Sequence, residues 1–422
     1  MEKILIKGGK ALHGQVEVMG AKNAALGIIP ATILAGGYCS IKNVPDISDI
    51  RNYISIMEKL GAVVSYSGDR LDIDTTFVDP ANAGLIDEEA TNMRASYYLL
   101  GALLARFGTV RIAFPGGCDI GARPIDFHIE GFQALGATVI GENSDYIEIH
   151  ADRLIGCNID FAFASVGATI NIMLAAVTAE GETVINNAAR EPHVEDIANY
   201  LNCCGALITG AGTSQIRITG VKSLHAADYS IVPDQITAGT YMICAAATKG
   251  DVTVTRIIPE HLGIIAEKLI QMGCDVLFGD DYVRVIGNRP LKAINLETMP
   301  YPGFPTDLQQ PMGVLMCLAE GDSIIDENIF ENRFRYLEEL NKMGAKTRYE
   351  GSRAYISGVA SLKSDRIHST DLRAGAAMLI AGLAAEGTTE ITDLQHIDRG
   401  YDRIVEKLLA LGSDIVRINE GQ

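Results

Sequence analysis

The sequence predicts an α/β protein of two domains, each built from three repeated units, with buried helices inside a shell of sheets and outer helices. Three observations carry this. A glycine, mostly followed by Ala, closes a helical pattern six times, at Gly61, Gly136, Gly205, Gly273, Gly344 and Gly412. The spacing is about 70 residues each time, the mark of a repeated structural unit. Each unit is preceded by a segment apolar nearly all round, and a helix apolar on every side belongs in an interior. Finally, the sixth unit runs out of chain before its hairpin is complete, and the first residues of the chain resemble the missing strand.

The units span 36–62, 107–137, 180–206, 249–274, 320–345 and 386–413. Each reads as a glycine, a short strand, a loop and an amphipathic helix. In the sixth, Ile404, Val405, Leu408, Leu409 and Leu411 form one apolar stripe at helical spacing. Gly412 then stands where a left-handed residue ends the helix. After each closing glycine comes alternation around a Gly-rich turn, as in ALITGAGTSQIRITG (206–220) and DVLFGDDYVRVIG (275–287). That pattern predicts a hairpin. The buried-helix candidates are AALGIIPATILA, ASYYLLGALLA, ATINIMLAAVTA, AGTYMICAAAT, PMGVLMCLA and AGAAMLIAGLAA.

The chain ends at IVRINEGQ, without the second strand of its last hairpin, while ILIKGG (4–9) looks like IRITG and AYISG. The expected domains are therefore 22–230, and 1–21 together with 231–422. Two crossings between domains make a hinge over a cleft.

A length of 422 residues also favours two cores over one. The net charge of −18 speaks against a nucleic acid partner, which needs a basic surface. The longest apolar run, Ala374 to Ala385, falls short of the roughly 18 residues of a membrane helix, so no membrane insertion is expected. The opening MEKILIKGG has no signal-peptide pattern. The eight Cys include no CxxC pair and lie mostly in apolar segments. They read as buried thiols of a reducing, cytoplasmic compartment, with no zinc or other metal site.

Polar residues stand before each buried helix: Lys22–Asn23, Arg94, Ser165–Val166–Gly167, Asp234, Thr306–Asp307 and Asp371–Leu372–Arg373. N-capping accounts for Ser, Thr and Asp there. It does not account for Lys22, Arg94 and Arg373, because a cation at a helix N-terminus opposes the dipole. Such cations fit a bound anion. Arg123, Arg333 and Arg399 hold equivalent loops in units two, five and six; each could equally be a surface ion pair. Cys118 lies among Gly116, Gly117, Asp119 and Gly121, close to Arg123, as an exposed reactive thiol would.

GAKNAAL (20–26), MRAS (93–96), PGGCDIGARPIDFHI (115–129), SVGAT (165–169), NAAREP (187–192), FPTD (304–307), ENRF (331–334), DLRA (371–374) and HIDRGY (396–401) occur in that order. In these strings the chain resembles the UDP-N-acetylglucosamine 1-carboxyvinyltransferases of the enolpyruvyl transferase family, from about Lys7 to about Arg417. The resemblance implies a two-domain inside-out α/β barrel of the enolpyruvyl transferase type. It implies transfer of enolpyruvyl from phosphoenolpyruvate to the 3-hydroxyl of UDP-N-acetylglucosamine through a tetrahedral ketal, the first committed step of peptidoglycan precursor synthesis. Asp307 would take the hydroxyl proton and Cys118 would protonate C3, with Lys22 and Arg399 also catalytic.

By the same resemblance Lys22, Arg123 and Arg399 hold the phosphate of phosphoenolpyruvate, Arg333 and Arg373 its carboxylate, and Asn23 and Arg94 serve both substrates. Asp307 and the Ile329 backbone contact the sugar. Arg123, Pro124, Ile125, Asp126 and Phe127, with Ser165, Val166 and Gly167, hold the uridine diphosphate. No metal and no cofactor is implied, and Cys118 is the expected target of a fosfomycin-type phosphonate epoxide. Phe163 stands where some members carry a basic residue, and Tyr336 where His is frequent. Two other readings are an enolpyruvyl transferase acting on shikimate 3-phosphate, and a catalytically silent nucleotide-sugar-binding paralogue.

Overall fold

The computed structural model describes residues 2–82, 93–113, 125–142 and 146–419. The expectations placed on Cys118, Arg123 and Pro124 lie outside these residues. The described chain forms two compact units: residues 2–19 with 233–419, and residues 20–113 with 125–232. Each has its own hydrophobic core, and the two cores share no residue.

Among the described residues the architecture is a mixed α/β fold of six sheets, built on one plan. The strand that opens each repeat, such as Glu182–Asn186, pairs antiparallel with the second strand of its hairpin, here Gln215–Thr219. That strand pairs in turn with the first, Leu207–Thr209. In five sheets a fourth, short strand lies parallel on the other edge of the opening strand. Glu2–Lys7 takes the place of a second hairpin strand, antiparallel to both Thr388–Thr392 and Asp414–Asn419.

The parallel edge strands come from a different repeat than the sheet they join. Asp228–Ser230, which follows the third hairpin, pairs with Tyr38–Lys42 of the first sheet. His13–Glu17, which follows Glu2–Lys7, pairs with Asp251–Thr255 of the fourth. A repeat that borrows its edge from another cannot fold as a free-standing module, so the three repeats of a unit share one core.

The inner helices are Lys22–Ala35, Tyr98–Phe107, Val166–Ala176, Gln235–Ala247, Gln309–Cys317 and Leu372–Ala384. Their apolar surface is continuous and so is their burial: every residue from Ile236 to Ala247 is inside. The outer helices Ser48–Lys59, Asp126–Ala134, Pro192–Cys203, Gly263–Gln271, Tyr336–Lys342 and Ile404–Ala410 bury one face only.

All six closing glycines have φ between 87° and 104°. The same pair of bonds ends each outer helix: Gly61 donates to the Glu58 carbonyl and Ala62 to that of Met57, at 3.0 and 2.9 Å. Gly412 and Ser413 repeat this on Leu409 and Leu408. These paired bonds satisfy the last carbonyls of the helix, and glycine enters the left-handed conformation without a Cβ clash.

Two details correct the sequence reading. Ile404, Leu408 and Leu411 are buried, but Leu409 is 46% exposed and does not belong to the stripe. The helix ends at Ala410, and Leu409 falls on its outer side. Cys203, expected among buried thiols, is exposed at the end of its helix, whereas Cys39, Cys204, Cys244, Cys274 and Cys317 are inside. Among the described residues, no helix is long and apolar enough to cross a membrane.

Candidate active site

In the unit of residues 20–232, three inner helices begin at candidate residues. Lys22 is the first residue of its helix, with Asn23 beside it. Its ammonium pairs at 2.9 Å with Asp49, a buried carboxylate at the start of the outer helix Ser48–Lys59. The unfavourable cation at this N-terminus is thus offset in part by the protein's own anion. Arg94 opens the single turn Arg94–Tyr97 that leads into Tyr98–Phe107, and its guanidinium lies 5.2 Å from the centre of the Tyr97 ring. Burial holds its pKa below the ordinary arginine value.

Ser165 caps the third helix, its Oγ accepting from the Ala168 N–H at 3.3 Å, so Val166 and Gly167 form the first turn. Ile125 is buried at the N-cap of Asp126–Ala134, Asp126 is exposed, and the Phe127 ring meets Phe161 at 5.8 Å. Phe163 is 45% exposed.

Behind these turns lies a buried network that sequence reading missed. The side-chain carbonyl of Asn171 accepts from the Gly101 N–H at 2.9 Å, and its amide donates to the Tyr97 carbonyl at 2.8 Å. Asn171 therefore stands in for the i to i−4 backbone bond where the Arg94 turn becomes a helix. A side chain at Gly101 would overlap the Asn171 backbone carbonyl at 2.4 Å. The same amide lies 2.8 Å from His128 Nδ1, which must then be an acceptor. Burial first, and Arg94 second, push His128 down to about 3, so it stays neutral. The signal for Asn171 was available: it is a lone amide inside the largely apolar ATINIMLAAVTA.

In the unit of residues 233–419, Asp307 sits in the single turn Thr306–Leu308 that leads into Gln309–Cys317. One of its oxygens accepts from Arg333 at 2.9 Å and the other from Arg373 at 2.8 Å. Both guanidiniums are buried, with side chains 4% and 5% exposed, while the carboxylate keeps 25%. Arg333 is therefore not a surface ion pair. Among the described residues, its Nε and Nη1 meet no acceptor. Arg373 also donates to Tyr401 Oη at 3.3 Å, which bonds Thr240 at 3.2 Å. Burial alone would lower the Arg373 pKa. Asp307 foremost, then Tyr401 and Asp234, hold it above the ordinary value.

Asp371 and Asp234 are true caps. Asp371 accepts from the N–H groups of Arg373 and Ala374 at 2.8 and 3.0 Å, and Asp234 from Ile236 and Thr237 at 2.8 and 3.4 Å. Glu327, also missed, anchors the turn that carries Asp307. Its carboxylate is buried and accepts from Thr298 and from Thr306, both at 2.9 Å, and from the N–H of Ile329 at 2.9 Å. The Ile329 N–H is thereby engaged. Arg399 is half-buried at the end of Gln395–Asp398. Tyr336 is fully buried at the start of its helix.

The structure thus brings Asp307, Arg333 and Arg373 together. It places Lys22 on Asp49, and Arg94 against Tyr97. A carboxylate has about four lone-pair sites, of which the two arginines take two. Asp307 can still accept a proton from a hydroxyl, beside two fixed cations able to hold a carboxylate or a developing negative charge.

The family model described as EPSP synthase (3-phosphoshikimate 1-carboxyvinyltransferase) matches residues 6–408. A UDP-N-acetylglucosamine 1-carboxyvinyltransferase 3 from Caldanaerobacter subterraneus subsp. tengcongensis is 54% identical over 420 residues, spanning 100% of both chains. A UDP-N-acetylglucosamine 1-carboxyvinyltransferase from Clostridium botulinum is 53% identical over 420 residues, 99% of this chain and 100% of its own. Among solved structures, the enolpyruvyl transferase NikO from Streptomyces tendae superposes with a TM-score of 0.87 at 26% identity, over 99% of this chain and 98% of that one. EPSP synthase from Acinetobacter baumannii, at 20% identity and a TM-score of 0.76 over 100% of both chains, shares the fold.

Proposed function

This chain belongs to the EPSP synthase (3-phosphoshikimate 1-carboxyvinyltransferase) family of enolpyruvyl transferases, and we propose that it moves the enolpyruvyl group of phosphoenolpyruvate onto UDP-N-acetylglucosamine. The observation that carries the chemistry is the Asp307 carboxylate between two buried guanidiniums. The full-length likeness to UDP-N-acetylglucosamine 1-carboxyvinyltransferases favours the nucleotide sugar as acceptor over shikimate 3-phosphate. The product is a peptidoglycan precursor.

In this reading the acceptor 3-hydroxyl oxygen bonds to C2 of phosphoenolpyruvate while Asp307 takes its proton. Cys118 gives a proton to C3, and a tetrahedral ketal results. The C2–phosphate bond then breaks, C3 returns a proton, and the enol ether and phosphate leave. Arg333 and Arg373 face the substrate carboxylate; Lys22, Arg123 and Arg399 hold the phosphate. These cations offset the charge that gathers on the ketal. Ser165 to Gly167, with Ile125 to Phe127 and Arg123 and Pro124, hold the uridine diphosphate, and Asn23 and Arg94 serve both substrates.

The two chain crossings act as a hinge in this reading. The Ala21 N–H donates to the Val232 carbonyl at 2.8 Å and the Asp234 N–H to that of Met19 at 3.0 Å, so the connections run as a bonded pair. The seven free thiols among the described residues fit a reducing cytoplasm.

Phosphate release decides between the readings. It is expected with phosphoenolpyruvate plus UDP-N-acetylglucosamine and absent with phosphoenolpyruvate alone. Release with shikimate 3-phosphate instead would move the chain to the other branch. Binding of the nucleotide sugar without release would make it a silent paralogue.

A further inference from the structure

Asp307 holds the heads of Arg333 and Arg373; the residue three positions on holds their roots. Gln310 is the second residue of the helix Gln309–Cys317 and is 1% exposed. Its Nε2 donates to the backbone carbonyl of Arg333 at 3.3 Å and to Asp371 Oδ2 at 3.0 Å. The other oxygen of Asp371 caps the N–H of Arg373 itself, at 2.8 Å. One amide thus fixes the main chain at both arginines, while the turn just before it supplies the carboxylate that fixes their side chains.

We propose that Gln310 is a positioning residue for the phosphoenolpyruvate carboxylate, setting the spacing of the two guanidiniums that receive it. The proposal rests on the enolpyruvyl-transfer reading above. Three features favour it over a packing role. Arg333 lies in backbone with no helix or strand to hold it, between a turn at Glu331–Asn332 and the helix at Tyr336, so its direction depends on such an anchor. Gln310 Oε1 meets no donor among the described residues, so half of the amide is buried without return. An apolar residue would fill the same space without that cost, which leaves the two Nε2 bonds as the reason for a glutamine. Positions 307 and 310, three apart, share one face of the turn and helix, so a single rigid element sets both ends of each arginine.

The test replaces Gln310 with methionine, which keeps its length and volume and removes both bonds. Losing a buried acceptor that lacks a partner compensates for losing the two bonds, so the melting temperature should stay within a few degrees. In phosphate-release kinetics KM for phosphoenolpyruvate should rise about tenfold with a fall in kcat, since small displacements of positioning groups cost activity steeply. KM for UDP-N-acetylglucosamine should stay within about twofold. Phosphoenolpyruvate binding, titrated by calorimetry without the nucleotide sugar so that no turnover occurs, separates this from the reaction itself. If the wild type binds phosphoenolpyruvate but releases no phosphate, the transferase reading fails, while weaker binding by Gln310→Met still supports the positioning role. Unchanged phosphoenolpyruvate parameters, no binding by the wild type, or a parallel rise of both KM values with a lower melting temperature would overturn it.

Discussion

Residues 20–232 and 233–419 share a fold yet keep polar groups inside it by different means. Apart from the Lys22–Asp49 pair, the network behind the helix starts of the first unit is neutral: the Asn171 amide, two backbone groups and an imidazole held uncharged. In the second it is ionic: Asp307 between Arg333 and Arg373, with Asp371 and Gln310 behind. The neutral network places backbone and carries no charge that a ligand must match. In the ionic one, removing Asp307 leaves two buried guanidiniums without their shared counter-ion. In the proposed reading, an anionic carboxylate with a proton to move calls for the second design, and a helix start presented to a diphosphate calls for the first.

The largest effect should come from the ionic side. Asp307→Asn keeps the shape and removes the base, so kcat should fall about 10²- to 10⁴-fold. Binding of UDP-N-acetylglucosamine, followed by calorimetry, should persist. Near-normal turnover would take Asp307 out of the chemistry and leave it a counter-ion only.

The neutral network is tested by acid. His128 is held at about 3, below the ordinary 6.5, so the folded state resists a proton that the unfolded chain accepts. The stability this contributes is complete above about pH 6.5 and is lost as pH falls from there toward about 3. Urea unfolding at pH 7 and at pH 4.5 should therefore show a smaller loss for His128→Gln than for the wild type. Equal losses would mean that the imidazole is not kept neutral.

The smallest effect compares one cap in each unit. Gly412 has open space around a would-be Cβ, whereas at Gly61 it would lie 2.5 Å from the Phe77 carbonyl oxygen. Gly412→Ala should cost about 1–2 kcal/mol for the left-handed backbone alone. Gly61→Ala should cost about 1–3 kcal/mol more for the overlap, read from denaturant midpoints. Equal costs would show that the carbonyl yields.

Much of the fold was legible because its signals are local. A left-handed glycine after an apolar stripe, as at Leu408 to Gly412, is encoded within a few residues, and so is the hairpin Leu207–Thr219. Leu409 misled because an apolar residue next to a stripe looks the same in sequence whether or not the helix turns it outward. At the site, the residue types were readable: cations at helix starts, Asp371 and Asp234 as caps. Their partners were not. Nothing near Lys22 in the chain marks Asp49 as its counter-ion, and Arg333 read as well as a surface ion pair as a ligand contact.

The sequence by itself determined the repeat, the inner and outer helices and the caps, since each follows from spacing of one side chain or one glycine along a short stretch. Only the tertiary structure decided which charges meet. Arg333 and Arg373 converge on Asp307 from 26 and 66 positions away, and Gln310 reaches Asp371 across 61. Such contacts depend on how three inner helices pack around one core, and packing is a property of the whole unit that no short window of sequence contains.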